Sequence, residues 1–263
     1  MRNQYNFVKK KIISSKIETY PYPFFVVKNL LPQKEVINLK KVLPSFDQIG
    51  KDVLFQSISK TKKTILPSSR EYKKLYKREP VKRFDKLFRF LKPIVLKKFT
   101  PYIKEYVSKE YQNSKIIYHS SFSIMKKGYK KSSHIDRRDH LIHAIFYASS
   151  NKEKGGEIQI DKLKKHTKVY DVFPKRGQTK IVNKFKTSDN FCLFIFNTPW
   201  SYHSAKKYIG NKDRKYFYIA YDFPIINSGA IASNRKKGFN MNKFWKKDVK
   251  VKSEVRKTKF LSE

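Results

Sequence analysis

Apolar and polar positions alternate along this chain with two different periods, and the change of period divides it. Residues 20–32 read as a strand punctuated by prolines and leading into a helix. The segment Pro32-Gln33-Lys34-Glu35 suits a helix start, because proline is tolerated in the first turn and Glu35 complements the N-terminal end of the dipole. Val36, Leu39, Val42 and Leu43 keep roughly helical spacing, and Pro44 is expected to end that helix. Residues 46–80 are polar and lysine-rich, with a short apolar piece at Val53, Leu54 and Phe55, and predict strands and loops. From Val81 to Tyr111 the positions Phe84, Leu87, Phe88, Leu91, Val95, Phe99 and Ile103 return to a helical period. Pro93 and Pro101 interrupt it, which predicts two helices packed on a sheet.

After Ser114 the pattern shortens to β segments at 116–124, 140–148, 157–160, 180–185, 191–196 and 215–221. Closely spaced strands with turn residues between them predict a sandwich or jelly roll. Residues 227–263 are polar and lysine-rich, with aromatics only at Phe239, Trp245 and Phe260 as well as Phe244, and read as an extension of a single domain spanning 1–226. Helical support is expected over about 30–112 and the β core over about 115–223.

The composition permits this architecture. Of 263 residues, 39% are hydrophobic and 15% aromatic, enough for a substantial core, and glycine is too scarce for a collagen-like chain. The formal net charge of +40 raises nucleic acid as a partner. Only 11 of the 61 basic residues are arginine, however, and the lysines run through the whole chain. Base-reading and bidentate phosphate contacts favour arginine on a defined element. A nucleic-acid role, as a binding module or a demethylating oxygenase, is therefore the alternative and not the leading reading. One cysteine, Cys192, lies in a strand-like apolar run and excludes both a disulfide framework and a four-thiolate zinc site. Residues 1–16 lack the apolar stretch of a signal peptide, and no apolar run approaches the roughly 20 residues of a membrane span. A soluble, reducing, cytoplasmic setting is expected.

The candidate chemistry sits at the ends of predicted strands. His134 and Asp136 are two residues apart and so share one face of an extended segment. His203 ends a strand and turn that begin at Phe191, and Arg214 follows eleven residues later. Two imidazoles and a carboxylate occupying one face of a metal ion leave the other face open, the arrangement of non-haem Fe(II) oxygenases. An arginine supplies a fork for a dicarboxylate. Lys215 is the neighbouring alternative, but strand parity turns it to the opposite face. Arg214 can also be read as a surface residue of the charged turn 210–215. A rival zinc site from His134, His140 and His143 leaves His203 and Arg214 unused. His119, His140 and His166 read as structural or surface residues, and Trp200 and Tyr202 as either mouth-lining or turn-packing.

The motifs MKKG at 125–128, HID at 134–136, AIFY at 144–147, GGEIQI at 155–160, FNTPWSYH at 196–203 and RKYFYIAY at 214–221 resemble the Fe(II)/2-oxoglutarate-dependent dioxygenases, particularly the prolyl-4-hydroxylase-like branch. The segment PYPFFVVKNLLP at 21–32 resembles that family's lead-in to its supporting helices. The resemblance implies a double-stranded β-helix (jelly roll) core with N-terminal helices packed on it. It implies Fe(II) held by His134, Asp136 and His203, and 2-oxoglutarate held through its far carboxylate by Arg214. O2 is the co-oxidant, and ascorbate a possible accessory reductant. The implied reaction is hydroxylation of a C–H bond with release of succinate and carbon dioxide. Parity adds Tyr147 and Tyr218 as cosubstrate-pocket residues, and turns His143 to the same side, where it reads as hydrogen-bonded core. Met125 stands where many relatives carry tyrosine, and Lys131 where an apolar residue is usual. The substrate is left open among a peptidyl residue, a free amino acid and a sugar or lipid intermediate.

Overall fold

The computed structural model describes residues 2–50, 61–67, 69–136, 140–150, 155–165, 169–170, 172–224, 244–246 and 250–251. The apolar piece at Val53–Phe55, His166 and most of 227–263 lie outside the described residues. The described residues form four α-helices: α1 (Arg2–Ser14), α2 (Gln33–Val42), α3 (Arg70–Lys77) and α4 (Glu79–Tyr106). Twelve strands follow in chain order: β1 (Phe24–Lys28), β2 (Lys62–Ile65), β3 (Ile117–Met125), β4 (Lys131–His134), β5 (His140–Ser149), β6 (Ile158–Leu163), β7 (Val169–Tyr170), β8 (Thr179–Phe185), β9 (Phe191–Phe196), β10 (His203–Ala205), β11 (Arg214–Asp222) and β12 (Lys250–Val251).

Two antiparallel sheets carry the fold, a larger one in the order β1-β9-β5-β11-β3-β2 and a smaller one in the order β4-β10-β6-β8. From β3 onward the chain passes back and forth between them. The eight strands β3, β4, β5, β6, β8, β9, β10 and β11 therefore form the double-stranded β-helix, with β3-β11-β5-β9 facing β4-β10-β6-β8. β1 and β2 extend the larger sheet at its two edges.

The larger sheet is covered on both sides, which explains why β5 and β9 are almost wholly buried. Phe146, Phe194, Phe196, Phe217 and Tyr221 point outward into the main core. There Phe84 of α4 lies 5.0 Å from Phe146 and 4.4 Å from Phe217, and Phe99 lies 5.6 Å from Phe196 (ring centroids). Ile145, Tyr147, Phe191, Leu193, Ile195 and Tyr216 point inward, with Ile158 and Ile160 of the smaller sheet. Cys192 is a buried member of the outward core, as its run predicts.

The helices depart from the sequence pattern in three places. Residues 79–106 form one helix and not two, running through Pro93 and Pro101. Both prolines lie on its exposed side, as do Arg89 and Lys97, whose carbonyls lose their i+4 donors to the prolines. Water can satisfy those carbonyls, while Val81, Phe84, Phe88, Leu91, Val95 and Phe99 keep an unbroken buried stripe. α3 forms where strands and loops were expected, started by Ser69, whose hydroxyl accepts from the Tyr72 N–H at 3.1 Å. α1 was not expected; it buries only Gln4, Val8 and Ile12, one residue per turn, in a lysine-rich segment. In the extension, Phe244 and Trp245 are buried, Phe244 stacking on Phe223 at 4.5 Å.

Candidate metal centre

Strand register brings the two candidate histidines together. His203 of β10 pairs directly with His134 of β4, and their ring centroids lie 4.4 Å apart. Asp136, two residues beyond His134, turns back between them: its Oδ1 lies 3.4 Å from His134 Nε2 and its Oδ2 lies 3.6 Å from His203 Nε2. One ligand atom from each of the three residues lies within 4.8 Å of the others, close to the roughly 3 Å spacing of donors on one ion with bonds of about 2.1 Å.

The tautomers are fixed by the backbone. His134 Nδ1 lies 2.9 Å from the Ser132 carbonyl and His203 Nδ1 lies 3.1 Å from the Ser201 carbonyl. A carbonyl only accepts, so both Nδ1 atoms carry the proton and both Nε2 lone pairs face the centre. Burial, together with the neighbouring His203, brings the His134 pKa down to about 4, keeping that imidazole neutral as a ligand requires. Burial pushes the Asp136 carboxyl upward, but the surrounding imidazoles of His143, His203 and His134 outweigh it and hold the group ionised.

Tyr218 and His143 join the same cluster. The Tyr218 hydroxyl donates to Asp136 Oδ2 at 2.8 Å, so the tyrosine that parity assigned to the cosubstrate pocket contacts a candidate metal ligand. His143 is fully buried, with Nε2 3.4 Å from Asp136 Oδ2 and its ring stacked on Tyr218 at 5.4 Å. Burial lowers its pKa to about 3, and neither ring nitrogen makes a hydrogen bond among the described residues. His143 was read from sequence as ordinary core; the signal was present in its parity with Tyr147. The rival zinc trio is not assembled, because His140 turns away to Asp222 at 2.6 Å.

Arg214 opens β11 on the face that also carries Tyr216 and Tyr218. It is 1% exposed, not a surface turn residue. Its guanidinium carbon lies 4.4 Å from the Tyr147 ring centroid and 5.6 Å from that of Tyr208, and Nη1 donates to the Gly156 carbonyl. Nε and Nη2 are buried and make no hydrogen bond among the described residues. A buried cation with two unused donors is costly unless an anion meets them. Tyr218 stands four residues further along the same face, about 13 Å of strand. Tyr147, Tyr216, Met125 and Ile145 line the interior between. A buried cation at one end of this interior and a three-donor centre at the other fit a short dicarboxylate that chelates a metal with its opposite end. Lys131 lies on β4 with its ammonium over the Phe173 ring at 5.5 Å.

No family model matches this sequence, and no curated protein matches it. Solved structures with a similar fold include a Pseudomonas putida prolyl-4-hydroxylase (9% identity, covering 83% of this chain and 100% of that one, TM-score 0.49). A Trichoplax adhaerens prolyl hydroxylase, solved with a hypoxia inducible factor peptide fragment, has 12% identity, covers 83% and 89%, and has a TM-score of 0.47. The viral collagen prolyl hydroxylase of Paramecium Bursaria Chlorella virus-1, solved as a 2-oxoglutarate complex, has 10% identity, covers 77% and 96%, and has a TM-score of 0.44.

Proposed function

We propose that this protein is an Fe(II)- and 2-oxoglutarate-dependent dioxygenase that hydroxylates a C–H bond in its substrate. The observation that carries the reading is Arg214: two buried donors without a hydrogen bond among the described residues, inside the same barrel as the His134/Asp136/His203 set. Two neutral imidazoles and one carboxylate suit a divalent first-row metal and leave positions open to other ligands. When bound, Fe(II) supplies the redox chemistry by which O2 and 2-oxoglutarate become succinate, carbon dioxide and one oxygen atom inserted into the substrate.

The chain's own residues hold and orient the reactants. His134, Asp136 and His203 hold the metal, and the Ser132 and Ser201 carbonyls fix the two ring orientations. Tyr218 fixes the carboxylate of Asp136. Arg214 takes the far carboxylate of the cosubstrate, and Tyr147 supports the guanidinium from its ring face. The apolar and aromatic lining excludes water from the cosubstrate, which strengthens the Arg214–carboxylate pair. The catalytic unit in this reading is 1–226, with 227–263 as an extension that contributes Phe244 and Trp245 to the core. Among the described residues no helix is long and apolar enough to cross a membrane.

The test is 2-oxoglutarate turnover by the full chain with Fe(II), O2 and ascorbate, read as succinate. Wild type is expected to release succinate above a no-protein control, and His134→Ala to fall to that control. Equal succinate from the two proteins, with and without candidate peptide and amino-acid substrates, overturns the reading.

A further inference from the structure

A second group of metal-ligand residues lies on the same sheet, beyond the first. Asp222 closes β11, where it pairs with His140 of β5, and on the other side His119 of β3 pairs with Ala220. The register therefore brings three side chains from three adjacent strands to one point. His140 Nδ1 lies 2.6 Å from Asp222 Oδ1, His119 Nδ1 lies 2.8 Å from Asp222 Oδ2, and the two ring centroids are 5.5 Å apart. Among the described residues only this trio and His134/Asp136/His203 bring three such donors within 4.8 Å of one another.

We propose that His119, His140 and Asp222 form a second transition-metal site, with donors suited to Zn(II). Three N/O donors leave a fourth position open, as in three-ligand zinc sites. His119, with a side chain 32% exposed, faces solvent and gives the ion both an entry path and a water ligand, while Asp222 is 2% exposed. The Asp222 carboxylate is the buried anionic donor of the set, the kind of ligand a dication takes beside two imidazoles. The strands fix the backbone of all three residues, so little ordering accompanies binding. The ring of Tyr218 separates the two centres: its hydroxyl is on Asp136 and its ring centroid lies 5.7 Å from that of His140. The competing account is a purely hydrogen-bonded strap, in which both Nδ1–H groups donate to Asp222 and no metal binds.

Zinc titration of the metal-stripped full chain distinguishes these accounts. Wild type is expected to bind two equivalents of Zn(II), and the double variant His134→Ala/His203→Ala one. Adding His119→Gln to the double variant is expected to weaken the remaining site by at least about tenfold, since even outer-shell losses cost that much. Asp222→Asn gives the same readout at a buried position, with circular dichroism to check the fold. Co(II) in place of Zn(II) in the double variant should give the intense visible bands of a four-coordinate site, lost with His119→Gln. A double variant that is folded and binds no stoichiometric zinc overturns the proposal, as does zinc binding indifferent to His119→Gln. One wild-type equivalent lost with His119→Gln but not with His134→Ala leaves this site standing and removes the oxygenase reading instead.

Discussion

Arg214 lies over the ring of Tyr147, its guanidinium carbon 4.4 Å from the centroid, with Nε and Nη2 buried and without a hydrogen bond among the described residues. The ring holds the cation from one side and leaves two N–H donors for an anion, so the arginine is positioned before any ligand binds. Removing one partner of a buried, hydrogen-bonded charge pair costs about 2–5 kcal/mol. Arg214→Gln is therefore expected to weaken 2-oxoglutarate binding by about 30-fold or more. Arg214→Lys keeps the charge without the fork and should fall between the two. Equilibrium binding of 2-oxoglutarate to the Mn(II)-loaded protein measures this, and unchanged affinity in Arg214→Gln removes Arg214 from the cosubstrate site.

Gly156 provides the same test from the backbone. Its φ is +70°, and a Cβ built there runs into Arg214 Nη1, the group that bonds the Gly156 carbonyl. Gly156→Ala thus both strains the backbone and displaces the guanidinium. A loss of 2-oxoglutarate affinity approaching that of Arg214→Gln is expected, with the metal affinity retained, because the clash lies at the Arg214 end of the interior. Affinity for both ligands at the wild-type level would show that the guanidinium position does not matter.

Much of this was legible from residue spacing. The i, i+2 parity that put His134 beside Asp136, and Arg214 inside while Lys215 faced out, is local and survives in the structure. The helical reading failed where the deciding term is not local. α1 buries one residue per turn in a lysine-rich background, and α3, though amphipathic, is only 8 residues long with Leu75 as its buried side chain, too short to stand out. Pro93 and Pro101 read as breaks because the sequence alone does not say that both face water. The His119/His140/Asp222 cluster depends on the register of three strands spread over more than a hundred residues, which no spacing rule reports. His143 is hidden for a related reason: its parity is readable, but its approach to Asp136 depends on how the two sheets face each other.

The hydroxyl of Tyr218 is expected to act through Asp136. Tyr218→Phe removes one hydrogen bond to the carboxylate and leaves the ring packed against His143 and His140. Losses of this kind cost about 10–100-fold in metal affinity. Fe(II) or Mn(II) affinity should fall by that factor, while 2-oxoglutarate affinity at saturating metal changes little. The reverse outcome, with metal affinity intact and 2-oxoglutarate binding weakened, would assign the hydroxyl to the cosubstrate.

Phe84 separates fold from function. It packs against Phe88, Phe146 and Phe217 on the outward face of the larger sheet, while Tyr147 and Tyr218, one residue along from the last two, face the centre. Phe84→Ala is expected to cost about 3–5 kcal/mol of stability through lost burial and the cavity left behind. Denaturant unfolding should show this shift, with metal and 2-oxoglutarate affinities unchanged under conditions where the variant is folded. A large affinity loss in the folded variant would mean that α4 shapes the centre through the sheet.

Asp161 gives a pH dependence with a definite sign. It is buried on β6, its Oδ1 has no hydrogen-bond partner among the described residues, and burial raises its pKa above the ordinary carboxylate value despite nearby Ser204 and Ser133. A carboxyl whose folded pKa exceeds its unfolded one holds its proton more tightly in the native state. Its contribution to stability is thus greatest below the unfolded pKa and is lost as the pH rises through the folded value. At neutral pH the ionised group is a net cost. Asp161→Asn removes the charge and keeps the shape, so the variant should be more stable than wild type at neutral pH, read as a higher melting temperature. The advantage should shrink as the pH falls below the ordinary carboxylate pKa of about 3.9, where the group takes up its proton in both states. Melting curves of both proteins at the two pH values measure the difference directly, because every other titrating group is common to the pair. A variant less stable at neutral pH would mean that the charge of Asp161 is needed in the folded state.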